Sequence, residues 1–308
     1  MKTTVVISAL NQFDLLRENL STLTKDADTS KFDILVVDNG SDEPFTCDIP
    51  NVKVIRFEEP FGSYPIFKIG LENSDSDVLA FIHSDFFLWD KKWVEKVEQA
   101  FNDNAKLGLV GMIGASGWGS NGGRIGTMGS FQGMELRKYY DANEEWPEGK
   151  AFCWTGSPAS AHGEDVTGQL RKACQLDGCS MIFRRSCLES LPLDTWNIPH
   201  HWYDRLLCAW CIERDWEIGV IGIPCDHFSG QTVNGSKTYD KMAKEWCANN
   251  LGITEPSQWL DKHREWVNNP TNPDCGICEL INWDQVLYHE GQLRFMKEFR
   301  DIKHLIPR

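Results

Sequence analysis

The chain has 308 residues, 41% of them hydrophobic and 25% charged, with 31 Lys and Arg against 45 Asp and Glu for a net charge of −14. That composition excludes global disorder, and the charge leaves only a local basic patch as a means of holding nucleic acid or an anionic membrane. No run of about 18 apolar residues occurs, so no membrane-spanning helix is expected.

The length allows one large domain or two small ones. The opening MKTTVVISALNQ has no charged stretch followed by a long apolar segment and a small-residue cleavage site, so a cytoplasmic protein is expected. Eleven cysteines are an odd number, and many sit in apolar segments: Cys179, Cys187, Cys208, Cys211 and Cys225. In a reducing compartment these read as buried free thiols rather than a disulfide framework.

Thr3 to Ser8 is a β-branched run suited to a buried parallel strand. Asn11 to Leu23 follows with helical spacing of Phe13, Leu15, Leu16, Leu20 and Leu23. Strands are predicted at Ile34 to Val37, Val52 to Phe57 and Val78 to Ile82, then a helix over about Lys91 to Phe101 and a strand near Leu109 to Ile113. Such alternation argues for a parallel, doubly wound α/β sheet, with ligands bound beyond the carboxyl ends of its strands. From Gly114 to about Gln175 periodicity disappears, and a loop-rich insertion is expected to fold over the site. A strand at Cys179 to Arg184, a helix near Asp204 to Arg214 and a strand at Ile218 to Ile223 come next. The tail reads as amphipathic helices at Lys237 to Asn249, Pro256 to Val267 and Trp283 to His304. Three parts are expected: an α/β half at 1–110, a half with the insertion at 111–235, and a helical extension at 236–308.

The strand ends carry the chemistry. Strand one closes on Ser8-Ala9-Leu10-Asn11, strand two on Asp38-Asn39-Gly40-Ser41 and strand four on His83-Ser84-Asp85. A carboxylate after strand two could accept hydrogen bonds from a base or ribose. One after strand four, with His83 or a water, could hold a divalent metal against a diphosphate, neutralising a leaving charge. An Asp at such a boundary also serves turns, so each residue alone leaves both readings open.

Together, VVISALNQFDLLRENLSTL, DILVVDNGSDE and VLAFIHSDFFLW resemble the nucleotide-sugar half of family-two glycosyltransferases of the GT-A type. LDGCSMIFRRSCLE and HHWYDRLLCAWCIERDWEIGVIGIPCDHFSG resemble the subset related to streptomycin-biosynthesis glycosyltransferases, so the likeness covers about residues 1 to 235. It implies the GT-A fold: a doubly wound mixed sheet with helices on both faces, here with a helical C-terminal extension. It also implies inverting transfer from a nucleotide-diphosphate sugar, with uridine as the nucleotide, to a hydroxyl acceptor. By this resemblance Ser8, Ala9, Asn11, Asp38 and Ser84 belong to the donor site, with Asp177 and Gly178 lining donor sugar and acceptor. Asp85, His227 and His83 would ligate Mn²⁺ or Mg²⁺, with His83 standing where the family has Asp. Asp204, preceded by Tyr203 rather than an acidic residue, matches the general base, and Glu213 and Asp215 are its rivals. Trp154, Trp202 and His201 are expected at the acceptor, with Trp118 and Trp146 as further aromatic candidates.

Several features carry a competing reading. Gly117-x-Gly119-x-x-Gly122 matches a dinucleotide fingerprint, but the glycines after it make the required helix unlikely to form. Cys275-x-x-Cys278 is half a zinc pattern without a second half. Arg184 and Arg185 are expected at the surface. The acceptor stays open among a glycan, a small molecule, a protein and a modified nucleobase, with the net charge arguing against nucleic acid. A homodimer also stays open, as does a non-catalytic nucleotide- or carbohydrate-binding protein on the same fold.

Overall fold

The structure is a computed structural model that describes residues 1–130, 150–153, 161–227, 237–267, 282–299 and 305. In chain order its first elements are β1 (Thr3–Ala9), α1 (Phe13–Thr24), β2 (Phe32–Asn39), β3 (Val52–Phe57), α2 (Pro65–Glu72), β4 (Val78–His83), β5 (Phe86–Leu88), α3 (Trp93–Asp103) and β6 (Leu107–Gly111). Then come β7 (Ile113–Trp118), β8 (Arg124–Gly129), β9 (Lys150–Cys153), β10 (Ala161–Asp165), β11 (Leu170–Ala173), β12 (Gln175–Leu176), β13 (Ser180–Arg184), α4 (Arg185–Glu189), α5 (Tyr203–Glu213), β14 (Glu217–Ile221) and β15 (Cys225–His227). The tail holds α6 (Lys237–Leu251), α7 (Ser257–Lys262), α8 (Arg264–Val267) and α9 (Trp283–Glu298).

The main sheet has eight strands in the order β11-β14-β6-β13-β4-β1-β2-β3. Strands β4, β1, β2 and β3 run parallel, while β13 lies antiparallel between β4 and β6, so the sheet is mixed. Side-chain alternation explains the continuous apolar runs. Val5, Ile7, Ile34, Val36, Ala80 and Ile82 enter one core cluster, and Val6, Leu35, Val37, Leu79 and Phe81 enter the other. A strand buried on both faces has no polar side to show in its sequence.

The helix expected from Asn11 begins at Phe13, and its buried Leu16, Leu20 and Leu23 lie on the face against the sheet. Helix α2 had no sequence expectation: it is eight residues long and opens with Pro65 in its first turn, where a missing N–H costs nothing. The expected single helix over Pro256 to Val267 is two short helices, α7 and α8.

The expected loop-rich insertion is the main correction. Strands β12, β7, β8, β10 and β9 form a second, five-stranded sheet within it. Its β7–β8 hairpin pairs Ile113 with Gly129 and Trp118 with Arg124. The glycine fingerprint spans β7 and the turn of this hairpin, so no helix follows it. Cys47, Cys174, Cys179, Cys187, Cys208, Cys211, Cys225 and Cys247 are free thiols, all but Cys47 buried; Cys275 and Cys278 lie outside the described residues. Arg184 and Arg185 are not free surface charges. Arg184 donates to the carbonyls of Leu107, Phe101 and Asn104, and Arg185 to those of Ser74 and Ser76. No helix among the described residues is long and apolar enough to cross a membrane.

Candidate active site

Register brings the strand ends together. Ser8 of β1 pairs with His83 of β4, and Ala9 pairs with Asp38 of β2. Because β13 runs the other way, its entry segment Asp177-Gly178-Cys179 reaches the same edge, where the His83 amide donates to the Cys179 carbonyl at 3.0 Å. The β15–β5 ribbon adds His227, which pairs with Phe86 directly after Asp85. A cleft of about 870 Å³ opens over this edge, lined by Ser8, Ser84, Asp85, Gly178, Asp204 and His227 among others.

His83, Asp85 and His227 offer ligand atoms that all lie within 4.8 Å of one another. His227 Nε2 is 3.4 Å from Asp85 Oδ1, and His83 Nδ1 is 3.9 Å from the same oxygen. His227 Nε2 is buried and makes no hydrogen bond among the described residues, which leaves it available as a ligand nitrogen. His83 Nε2 lies 3.1 Å from the Tyr203 hydroxyl, which orients the ring and leaves Nδ1 towards Asp85. Burial opposes ionisation of Asp85, but the neighbouring His227 and His83 outweigh it and hold the carboxyl below its usual range. Burial pulls His227 down, yet the Asp85 charge leaves it raised; at His83 burial prevails and the imidazole is lowered. A second set, Asp177, Cys179 and His227, has the same compactness. It is the poorer site: burial, then the Asp177 charge, pushes the Cys179 thiol far up, and Asp177 is already paired. The one-carboxylate, two-imidazole set suits Mn²⁺ and tolerates Mg²⁺.

In the same cleft, Asp204 stands in the first turn of α5. Its Oδ2 is 2.8 Å from Arg124 Nη2, and its Oδ1 accepts from the Arg205 amide at 2.8 Å. A carboxylate has about four acceptor positions, so these two contacts leave room for a hydroxyl. Arg124 Nη1 also pairs with Asp177 Oδ2 at 2.9 Å, and its Nη2 donates to the Leu176 carbonyl at 3.3 Å. Burial disfavours the Asp177 carboxylate, but the Arg124 charge more than offsets this and holds it far below the usual range. Glu213, at the other end of α5, is about 14 Å along the axis from Asp204. Neither it nor Asp215 lines the cleft.

The donor-side expectations divide. Ser8, Ser84, Asp177 and Gly178 line the cleft, whereas Ala9, Asn11 and Asp38 do not. Asp38 is fully buried; its Oδ1 accepts from the Ser41 amide, and its Oδ2 from the Phe45 amide and from Arg56 Nη1 at 2.7 Å. It shapes the loop after β2. Asn11, at φ 57°, ties the first loop to the second: its amide donates to Ser41 Oγ and its Oδ1 accepts from the Asp42 amide. Asn39, rather than Asp38, faces the cleft. Gly178 has a steric reason, since a Cβ there would lie 2.2 Å from the Tyr203 hydroxyl.

His201, Trp202, Tyr239 and Tyr288 also line the cleft. His201 Nε2 is 2.6 Å from Asp284 Oδ1, and the Tyr239 hydroxyl donates to the same oxygen at 2.7 Å. Helices α6 and α9 are therefore tied to the segment before α5. Trp202 is only 2% exposed. Trp118 is buried and stacks on Phe295, and Trp146 and Trp154 lie outside the described residues. Sequence reasoning missed Arg124 and Tyr288, which sit in segments with no motif to flag them, and Arg205, which directly follows Asp204 in a motif read for its carboxylate alone.

This mixed doubly wound sheet, with a carboxylate–imidazole cluster at its carboxyl edge, is the GT-A fold of nucleotide-sugar transferases. The model of glycosyl transferase family 2 matches residues 4–160, half of the chain, and the protein belongs to that family. Glycosyltransferase AglE of Haloferax volcanii is 25% identical over 142 residues, which are 44% of this chain and 46% of AglE. The chain thus spans about half the length of that curated relative. GalNAc-T7, solved with UDP, GalNAc and Mn²⁺, shares the fold at a TM-score of 0.52 and 9% identity, over 99% of this chain and 59% of its own. Mannosyltransferase PcManGT from Pyrobaculum calidifontis, in complex with GDP-Man and Mn²⁺, aligns over 99% of this chain and 85% of its own, at a TM-score of 0.47 and 13% identity. S. aureus TarS 1-349 aligns over 100% and 81%, at 0.46 and 17%.

Proposed function

We propose that the protein transfers a sugar from a nucleotide-diphosphate donor, with uridine as the nucleotide, to a hydroxyl acceptor with inversion, assisted by Mn²⁺ or Mg²⁺. The observation that carries this reading is that one cleft holds both the His83–Asp85–His227 set and Asp204, whose neighbour Tyr203 meets His83 through its hydroxyl. Bound there, a divalent ion would supply Lewis acidity to a departing diphosphate. Asp85, His227 and His83 would hold it, with Tyr203 fixing the His83 ring. Asp204 takes the proton of the attacking hydroxyl, kept in place by Arg124 and the Arg205 amide. Ser8, Ser84 and Gly178 give the donor close access to the strand ends, while Asn11 and Asp38 hold the two loops that frame it and Ala9 packs beneath. His201 belongs to the acceptor end.

Calorimetric titration of UDP, with and without Mn²⁺, on wild type and Asp85→Ala tests the donor site. Metal-dependent binding that disappears in the variant supports the reading. Equal binding by the two proteins removes Asp85 from it, and no binding under either condition removes UDP.

A further inference from the structure

Among the described residues two arginines line the cleft, and they differ in what they touch. Arg124 is consumed by Asp177 and Asp204. Arg205 is not: among the described residues its guanidinium forms no ion pair and no hydrogen bond, and its Nε is fully buried without a partner. Asp204 and Asp177 act on it through space, but both carboxylates are turned to Arg124. Burial lowers its pKa, yet a guanidinium keeps its proton at any ordinary pH. An uncompensated cation facing a cavity is costly unless something anionic enters.

The guanidinium is also positioned. It lies over the Trp202 indole, 4.2 Å from the ring centroid. Trp202 adopts φ 67°, an uncommon and strained value for a bulky residue, just before α5. Bare backbone accommodates its ring: a Cβ on Gly291 would lie 2.6 Å from Trp202 Cδ1, and one on Gly122 would lie 2.9 Å from Cζ3. Phe295 and Tyr288 of α9 close on the same indole at centroid distances of 5.3 and 5.6 Å. The stacked pair is therefore built from β8's hairpin, α5 and α9 together.

We propose that Arg205 binds an anionic group, phosphate or carboxylate, carried by the acceptor, and so presents the acceptor's hydroxyl to the adjacent Asp204. This rests on the glycosyl-transfer reading, in which the donor's diphosphate is held at the Asp85 side. A planar guanidinium fork stacked on an indole gives such a group two parallel donors.

The test uses sn-glycerol 3-phosphate, with glycerol as its uncharged counterpart, in ligand-observed NMR titrations of the full chain with and without UDP and Mn²⁺. Wild type should bind the phosphate and not glycerol, Arg205→Gln should lose about tenfold or more of that affinity, and Arg205→Lys should keep part of it. UDP affinity should change less than about twofold in both variants. Equal affinity of wild type for phosphate and glycerol, or none for either, overturns the proposal. So does a loss of UDP rather than glycerol phosphate binding, which would assign Arg205 to the donor diphosphate. Should Arg205→Gln fail to fold, Arg205→Lys decides: a partial loss of phosphate affinity with unchanged UDP binding supports the proposal, and unchanged phosphate affinity or a loss of UDP binding alone refutes it. Because one arm omits nucleotide, failure of UDP to bind wild type would sink the donor reading while still leaving the Arg205 result readable.

Discussion

Arg124 holds Asp204 through a 2.8 Å contact between Nη2 and Oδ2, and with its other terminal nitrogen it holds Asp177 at 2.9 Å. One guanidinium thereby joins the second sheet to both the entry of β13 and the start of α5. The two carboxylates approach one another only because Arg124 lies between them.

Removing that cation should therefore expose a conflict between two buried acids. Arg124→Met is expected to cost about 3–5 kcal/mol of stability, and Arg124→Lys less, because one contact of the fork can survive. Urea denaturation of the three proteins at pH 7 measures this. A loss below about 1 kcal/mol for Arg124→Met would mean that Asp177 and Asp204 find other partners.

Asp204→Asn keeps the shape and the amide contact but removes the base. Transfer should fall by about 10²–10⁴-fold in kcat, with UDP affinity in Mn²⁺ unchanged. Turnover against a sugar-nucleotide panel, read beside calorimetry, checks both halves. Retained turnover would exclude Asp204 as the base, and retained function without turnover would favour a binding protein on this fold.

His200 gives a pH signature. Burial, and then the charges of His201 and His83, push its imidazole down to about 3. A depressed folded pKa means that the neutral form is the native one. Its contribution is fully present above about pH 6.5, the unfolded value, and is lost as pH falls towards the folded pKa. Between pH 7 and pH 5 this single group should remove at most about 2 kcal/mol. His200→Gln should flatten that part of the stability profile, read as ΔG against pH by denaturant titration. A parallel profile for the two proteins would show that other groups set the acid limb.

The Trp202 seat predicts a steric effect at a distance in sequence. Gly291→Ala on α9 places a methyl group 2.6 Å from the Trp202 ring, closer than a carbon can stand. The expected loss is about 1–3 kcal/mol, accompanied by a shift in tryptophan emission as the indole moves. Gly252→Ala would test backbone strain without contact, since nothing lies within 4 Å of its Cβ position although its φ is 63°. If Gly291→Ala melts with wild type, the indole has more freedom than its packing indicates.

Much of the donor half was legible in the sequence. The runs around Val5, Val36 and Ala80 have no polar alternation, which is the mark of strands buried on both faces, and the short polar ends after them gave Ser8, His83 and Asp85. Asp38 was legible as a strand-end carboxylate, but not its burial: the choice between facing the cleft and tying the loop depended on Arg56, a cross-strand neighbour in β3. The second sheet was hidden because Gly114, Gly117, Gly126 and Gly129 interrupt any period-two pattern in its strands, whose pairing comes from backbone bonds. Nor could sequence spacing reveal Arg124 beside Asp204, 80 positions away, or that Arg205 has no counter-charge among the described residues. Sequence by itself determined the parallel strands and the residues at their ends, because local apolar patterning fixes which segments are buried. Tertiary structure alone decided which charges are paired, which cation in the cleft has no counter-charge among the described residues, and which helices bring Tyr239 and Tyr288 to the cleft, because those depend on contacts between segments with no shared pattern.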